Sequence, residues 1–123
     1  MQLVDQTESS GPLIRAVSEA GIRIGAVLWR ESFLVQPAHE IVSWPAPALG
    51  KFDAATAATL LQRQPALVIL GCGAVQAFPP PAFVAGLMGA GVGLETMPNA
   101  AAAHTFNLLV SEGRNVLGAF LLP

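Results

Sequence analysis

Ala66-Leu67-Val68-Ile69-Leu70-Gly71-Cys72-Gly73 is the stretch on which the fold turns. Its apolar run follows Pro65, where a preceding helix cannot continue, and it stops at a glycine. Length favours strand over helix, because so short a run suits a strand and is too brief for a buried helix. A strand with no polar alternation has both faces covered, which places it in the middle of a sheet with other layers on each side.

Working outward, the chain alternates helical and extended patterns. Asp53 can cap a helix over Ala54–Arg63, anchored by Leu60 and Leu61. Beyond the central strand, a helix is expected over Pro80–Met88 and a strand over Gly91–Thr96. Asn99 can then cap a helix over Ala100–Glu112, with Gly113 as its stop, before a last strand over Asn115–Leu122. Such alternation predicts parallel crossovers. Toward the N-terminus, Ile22–Trp29 reads as a strand that turns at Arg30-Glu31-Ser32 into Phe33-Leu34-Val35, a hairpin. Ile41–Trp44 is extended between prolines, while Leu13–Ala20 fits either a short helix stopped by Gly21 or a strand. Residues 1–12 form a polar, flexible lead-in, and residues 13–123 a single α/β domain. The expected architecture is layered, with an N-terminal β-hairpin region, βαβαβ-type crossovers and a mixed central sheet on which helices pack.

Composition narrows the function. The 123 residues are 53% hydrophobic and only 11% charged, with a net charge of -2, so the chain carries no electrostatic footprint for nucleic acid. The first residues lack a basic start and an apolar stretch of signal-peptide length, which makes a cytoplasmic location the simplest expectation. No charge occurs from Gln64 to Leu94, yet Pro79-Pro80-Pro81 and repeated glycines break that stretch, and no transmembrane segment is expected. Cys72 is the single cysteine, the two histidines are far apart in the chain, and neither a metal nor a cofactor is called for. So few charges leave room for an apolar surface patch, and homodimerisation would be one way to cover it.

Candidate site residues fall in two groups. Gly71-Cys72-Gly73 sits between a strand and a helix, where backbone N–H groups can approach an anion. The third glycine of a dinucleotide fingerprint is replaced by Gln76, and no P-loop lysine follows, so a tight turn accounts for these glycines better than a phosphate loop. Cys72 would be a nucleophile only with a nearby base such as His104, and an uncharged neighbourhood would quiet it. The second group is Glu95, Thr105, Asn107, Glu112 and Arg114, polar residues set into an apolar segment. They can line a small pocket or a partner-binding face; equally, Asn107 can bond a loop backbone, and Arg114 can pair with Glu112 or the last helix carbonyls. No catalytic constellation is recognisable.

Three segments, taken in order, resemble a known family: Gly21-Ile22-Arg23-Ile24-Gly25 with Ser32–Pro37 and Trp44; Leu67–Gly73; and Gly91–Met97 continuing through Thr105-Phe106-Asn107 into Ser111–Val116. The chain is similar over about residues 12–122 to domain-of-unknown-function family 498, which includes the mitochondrial complex I assembly factor 3. Asn99, His104 and Phe106 depart from the family's common threonine, basic residue and tyrosine, which puts in doubt any site that needs those groups. The resemblance implies a layered fold around a mixed sheet, favours strand for residues 13–18, and supplies no catalytic residue. It implies an accessory or assembly protein acting through a protein partner, with a small-molecule site or enzyme around Gly71-Cys72-Gly73 and Thr105, Asn107 and Arg114 as the alternative.

Overall fold

A computed structural model describes residues 13–123; the expected lead-in over residues 1–12 lies outside the described residues. Among the described residues, eight strands and three helices follow in the order β1 (Ile14–Ser18), β2 (Gly21–Ile24), β3 (Val27–Trp29), β4 (Phe33–Val35), β5 (Val42–Ser43), α1 (Ala54–Leu61), β6 (Leu67–Gly71), α2 (Pro81–Gly89), β7 (Gly93–Met97), α3 (Asn99–Ser111) and β8 (Val116–Phe120), with a 3-10 turn at Leu49–Lys51. β1, β2 and β3 make an antiparallel sheet of their own, and the other five are ordered β5-β4-β8-β6-β7. Within the larger sheet β6 runs parallel to both β7 and β8, while β4 is antiparallel to β8 and β5. The expected mixed α/β architecture with parallel crossovers is the one observed.

Alternation along the central strands sorts the core into two layers. Ile69, Val116, Phe120, Phe33 and Val35 face one side and pack with Phe106 and Val110 of α3 and with Ile22 and Ile24 of the small sheet. Val68, Leu70, Leu117, Ala119 and Leu34 face the other and meet Leu60 of α1 and Phe83 and Leu87 of α2. Every residue of β8 is buried, as a strand flanked by two layers requires. Leaving β6, the chain crosses through α2 to β7 on one flank, then returns through α3 past β6 to β8 on the other. The two crossovers run in opposite lateral directions, and right-handedness therefore puts α2 and α3 on opposite faces. The carboxyl end of β6 is the point where the winding reverses.

Local chemistry explains the elements and the departures from expectation. Residues 14–18 form a strand, as the resemblance implied. Ile22–Trp29 is two strands and not one: Gly25, at φ +58°, heads a two-residue loop that folds β3 back on β2, the glycine placement that type II′ hairpins favour. The hairpin thus lies inside that segment, and Phe33–Val35 joins the other sheet. Helix α1 ends two residues earlier than expected because Gln64 takes a left-handed φ of +53° just before Pro65. Gly113 does terminate α3, at φ +79°, with the Gly113 N–H on the Val110 carbonyl and the Arg114 N–H on that of Leu109, the paired bonds of a Schellman motif. Among the described residues no helix is long and apolar enough to cross a membrane.

Asp53 caps α1 as expected. Its carboxylate accepts from the Thr56 N–H at 3.0 Å and from the Thr56 hydroxyl at 3.1 Å, and that hydroxyl oxygen accepts from the Asp53 N–H at 3.2 Å, completing a capping box. The backbone bond from Thr56, then the bond from its hydroxyl, hold the Asp53 pKa below the ordinary 3.8. A depressed carboxyl pKa contributes stability that is complete above the unfolded value and is lost as pH falls through the folded one. The difference in unfolding midpoint between the native chain and Asp53→Asn should therefore be constant near neutrality and shrink below 3.8. A difference that does not change in acid would reject the cap's role.

Candidate functional site

Both glycines of Gly71-Cys72-Gly73 have a structural reason. A Cβ on Gly71 would run into the Asn99 carboxamide and come within 2.7 Å of the Phe120 ring, while Gly73 sits at φ +106°, in the region that favours glycine. Cys72 is half-buried; its N–H donates to the Met97 carbonyl at 3.0 Å and its thiol to that of Val75 at 3.4 Å. Pro79-Pro80-Pro81 remove three amide donors before and at the start of α2, which begins at Pro81 with no side-chain cap.

Asn99 is where the structure corrects the expectation. It is the first residue of α3 and not its cap; Pro98 holds the cap position and makes no side-chain cap bond. The Asn99 side chain is captured by tertiary partners instead. Its Oδ1 accepts from the Gly73 N–H at 3.2 Å, its Nδ2 donates to the Leu121 carbonyl at 2.9 Å, and its own N–H donates to the Gly73 carbonyl at 2.8 Å. One carboxamide, only 6% exposed, thus joins the loop after β6, the start of α3 and the end of β8.

Around this joint opens a cleft of about 630 Å³. Its walls come from four places: the end of β1 and its turn into β2 (Val17–Gly21), Arg30 after β3, Gly73-Ala74 with Pro98-Asn99-Ala100, and Leu122-Pro123. Most wall atoms are apolar; Ser18, Glu19 and Arg30 supply the polar side chains besides Asn99. The position is the carboxyl end of parallel strands at the reversal of winding, where open α/β sheets leave a crevice between crossovers going opposite ways. A neighbouring cavity of about 250 Å³ lies between β1 and α3, and Val17 and Ala100 belong to the walls of both.

The remaining candidates are dispersed. Asn107 lines the smaller cavity, but its carboxamide is committed: Oδ1 accepts from the Ile14 N–H and Nδ2 donates to the Ile14 carbonyl, both at 2.8 Å, which clamps β1 onto α3. Thr105 is half-buried with its hydroxyl on the Met97 sulfur at 3.4 Å. Glu95 is exposed on β7, at the edge of the larger sheet, and Glu112 and Arg114 are exposed at the far end of α3, about 18 Å along the helix from Asn99. Of the eight candidates, Gly73 alone lines the larger cleft. Arg30, the Val17–Gly21 segment and Leu122 escaped sequence reasoning because only folding gathers them; the one available signal was Asn99, a polar residue in an alanine-rich helix start.

Removing the clamp has a defined cost. Asn107→Ala leaves both backbone groups of Ile14 without their partner, and partly buried groups so orphaned destabilise by about 2–3 kcal/mol together. Denaturant unfolding should show that loss, and the Ile14 amide should exchange with solvent faster than the β6 amides. A change below about 0.5 kcal/mol would mean that water replaces the side chain without penalty.

Comparison with known proteins finds one family over nearly the whole described chain: residues 14–121 match the family described as "Protein of unknown function (DUF498/DUF598)". No curated protein matches. Among solved structures, the NMR structure of a Xanthomonas campestris protein is similar at 36% identity and a TM-score of 0.82, covering 90% of this chain and 84% of that one. A crystal structure from Bordetella parapertussis is similar at 28% identity and a TM-score of 0.83, covering 91% and 96%. The NMR structure of a Bordetella pertussis protein described as an Mth938-like domain shares 25% identity with a TM-score of 0.74, covering 92% and 87%.

Proposed function

This chain belongs to the DUF498/DUF598 family of proteins of unknown function, and from that premise we propose that it works by binding a small molecule in the cleft at the carboxyl ends of β6 and β8. One observation carries the reading: a cleft of about 630 Å³, within the range of small-molecule sites, stands at the reversal of winding where α/β sheets hold their ligands. The joint made by Asn99 supports it, because it ties the start of α3 to the segments that follow β6 and β8 and so fixes the cleft wall. Among the described residues no nucleophile, base and orienting group converge there, which supports binding as the reading.

Ala100 is exposed, lines the cleft and lies in the first turn of α3, so Ala100→Trp fills the cleft while leaving the core untouched. In a metabolite screen read by thermal shift and amide NMR, a ligand should move the signals of Gly73, Ala74 and Leu122, and Ala100→Trp should abolish its effect. Ligands that perturb other surfaces only, or bind the filled variant as well, would defeat the proposal.

A second reading rests on a different observation. Val75 and Phe78 are each 76% exposed and Met88 is 67% exposed, all within the stretch that carries no charge. Such side chains favour a protein partner, in keeping with the assembly role that the family resemblance implies. A stoichiometric partner recovered from the host by the native chain and lost with Phe78→Ser would support it; a partner retained by that variant would not.

A further inference from the structure

Resting on the cleft as the ligand site, we infer that its ligand is an amphipathic acid: an aliphatic or aromatic body in the larger cleft and one anionic head, carboxylate or phosphate, in the smaller cavity beside it. The body is apolar because the buried polar atoms of the cleft wall are already paired with one another. Asn99 Oδ1 and Nδ2 are engaged by Gly73 and Leu121, and the Gly73 carbonyl by the Asn99 N–H. A polar group pressed against that wall would lose water without gaining a partner. At the rim Glu19 and Arg30 bring opposite charges that leave no net preference.

The head is anionic because of what the second cavity holds. It lies beside the first along β1 and α3, with Val17 and Ala100 in the walls of both. Among the described residues its ionisable side chains are Arg15 and His104 and no carboxylate lines it, and Asn107 is occupied by Ile14. Ala100 and His104 are one helical turn apart, about 6 Å, so a medium-length chain reaches from one cavity into the other.

Decanoate, decanol and octyl phosphate, each below its micellar range, are the probes, titrated by calorimetry into the native chain, Arg15→Gln/His104→Gln and Ala100→Trp. Both acids should bind the native chain at least about tenfold tighter than decanol. The double variant should erase that margin while keeping decanol binding, and Ala100→Trp should lose all three. Preference for one acid would identify the head as carboxylate or phosphate. Equal binding of acid and alcohol, or a margin that survives Arg15→Gln/His104→Gln, overturns the anionic head and leaves the cleft as the site. Failure of all three probes, with polar metabolites bound in a manner sensitive to Ala100→Trp, overturns the amphipathic class alone; binding that is insensitive to Ala100→Trp throughout overturns both readings.

Discussion

Gly71→Val should be strongly damaging beside the cleft, with a loss of about 3–5 kcal/mol, a large part of the 5–15 kcal/mol by which a domain of this size is held folded. Gly71 closes β6, with its carbonyl accepting from the Leu121 N–H at 2.9 Å, so the backbone cannot retreat. The first added carbon already overlaps the Asn99 carboxamide and lies 2.7 Å from the Phe120 ring. Two costs then add. The Phe120 ring, stacked on Phe33 with centroids 5.3 Å apart, must shift within a packed layer, and Asn99 must release Gly73 and Leu121. Gly71→Ala should show a smaller loss of the same kind. Gly89→Ala, where an added carbon meets nothing within 4 Å, is the control and should be close to neutral. Denaturant midpoints measure all three, and a Gly71→Val chain within about 1 kcal/mol of native would show that the joint around Asn99 is soft.

Phe106→Ala is expected to cost about 3–5 kcal/mol, the range for removing a buried phenyl ring from a core that cannot collapse. Phe106 is fully buried on α3, in the layer that joins Ile69, Phe120 and the small sheet. Its ring rests over Gly118 of β8, where an added Cβ would come within 3.1 Å of it. No neighbour can fill the space, because β8 is a central strand held on both sides and Gly118 has no side chain to move. A loss under about 2 kcal/mol would mean that α3 sinks toward the sheet. The ring has no polar atom here, and the fully buried position works as packing.

Where the chain was legible, the signal was local and strong. Val68-Ile69-Leu70 announced a central strand because continuous apolarity is tolerable only with both faces covered, and the two layers meet those residues alternately. Asp53 and Gly113 announced helix ends because a cap bond and a left-handed stop each involve residues within a few positions. Ile22–Trp29 misled for the opposite reason: its apolar pattern runs through Gly25, and only pairing of β3 with β2 shows that the glycine is a turn and not part of a strand. Asn99 has the composition of a cap, yet bonds to partners 26 and 22 positions away outcompete the helix end next to it.

Local pattern and composition were therefore enough for the class of fold, the central strand, the Asp53 cap, the Gly113 stop and the scarcity of charge, all consequences of short-range periodicity and of burying apolar surface. Folding settles where the winding reverses, which glycines have no room for a side chain, and that Val17–Gly21, Arg30, Gly73-Ala74 and Leu122-Pro123 surround one cleft. The difference is one of range: helix caps and strand patterns are written within one or two turns of chain, whereas a concave site is the meeting of segments that share no local interaction and come together only when the sheet closes.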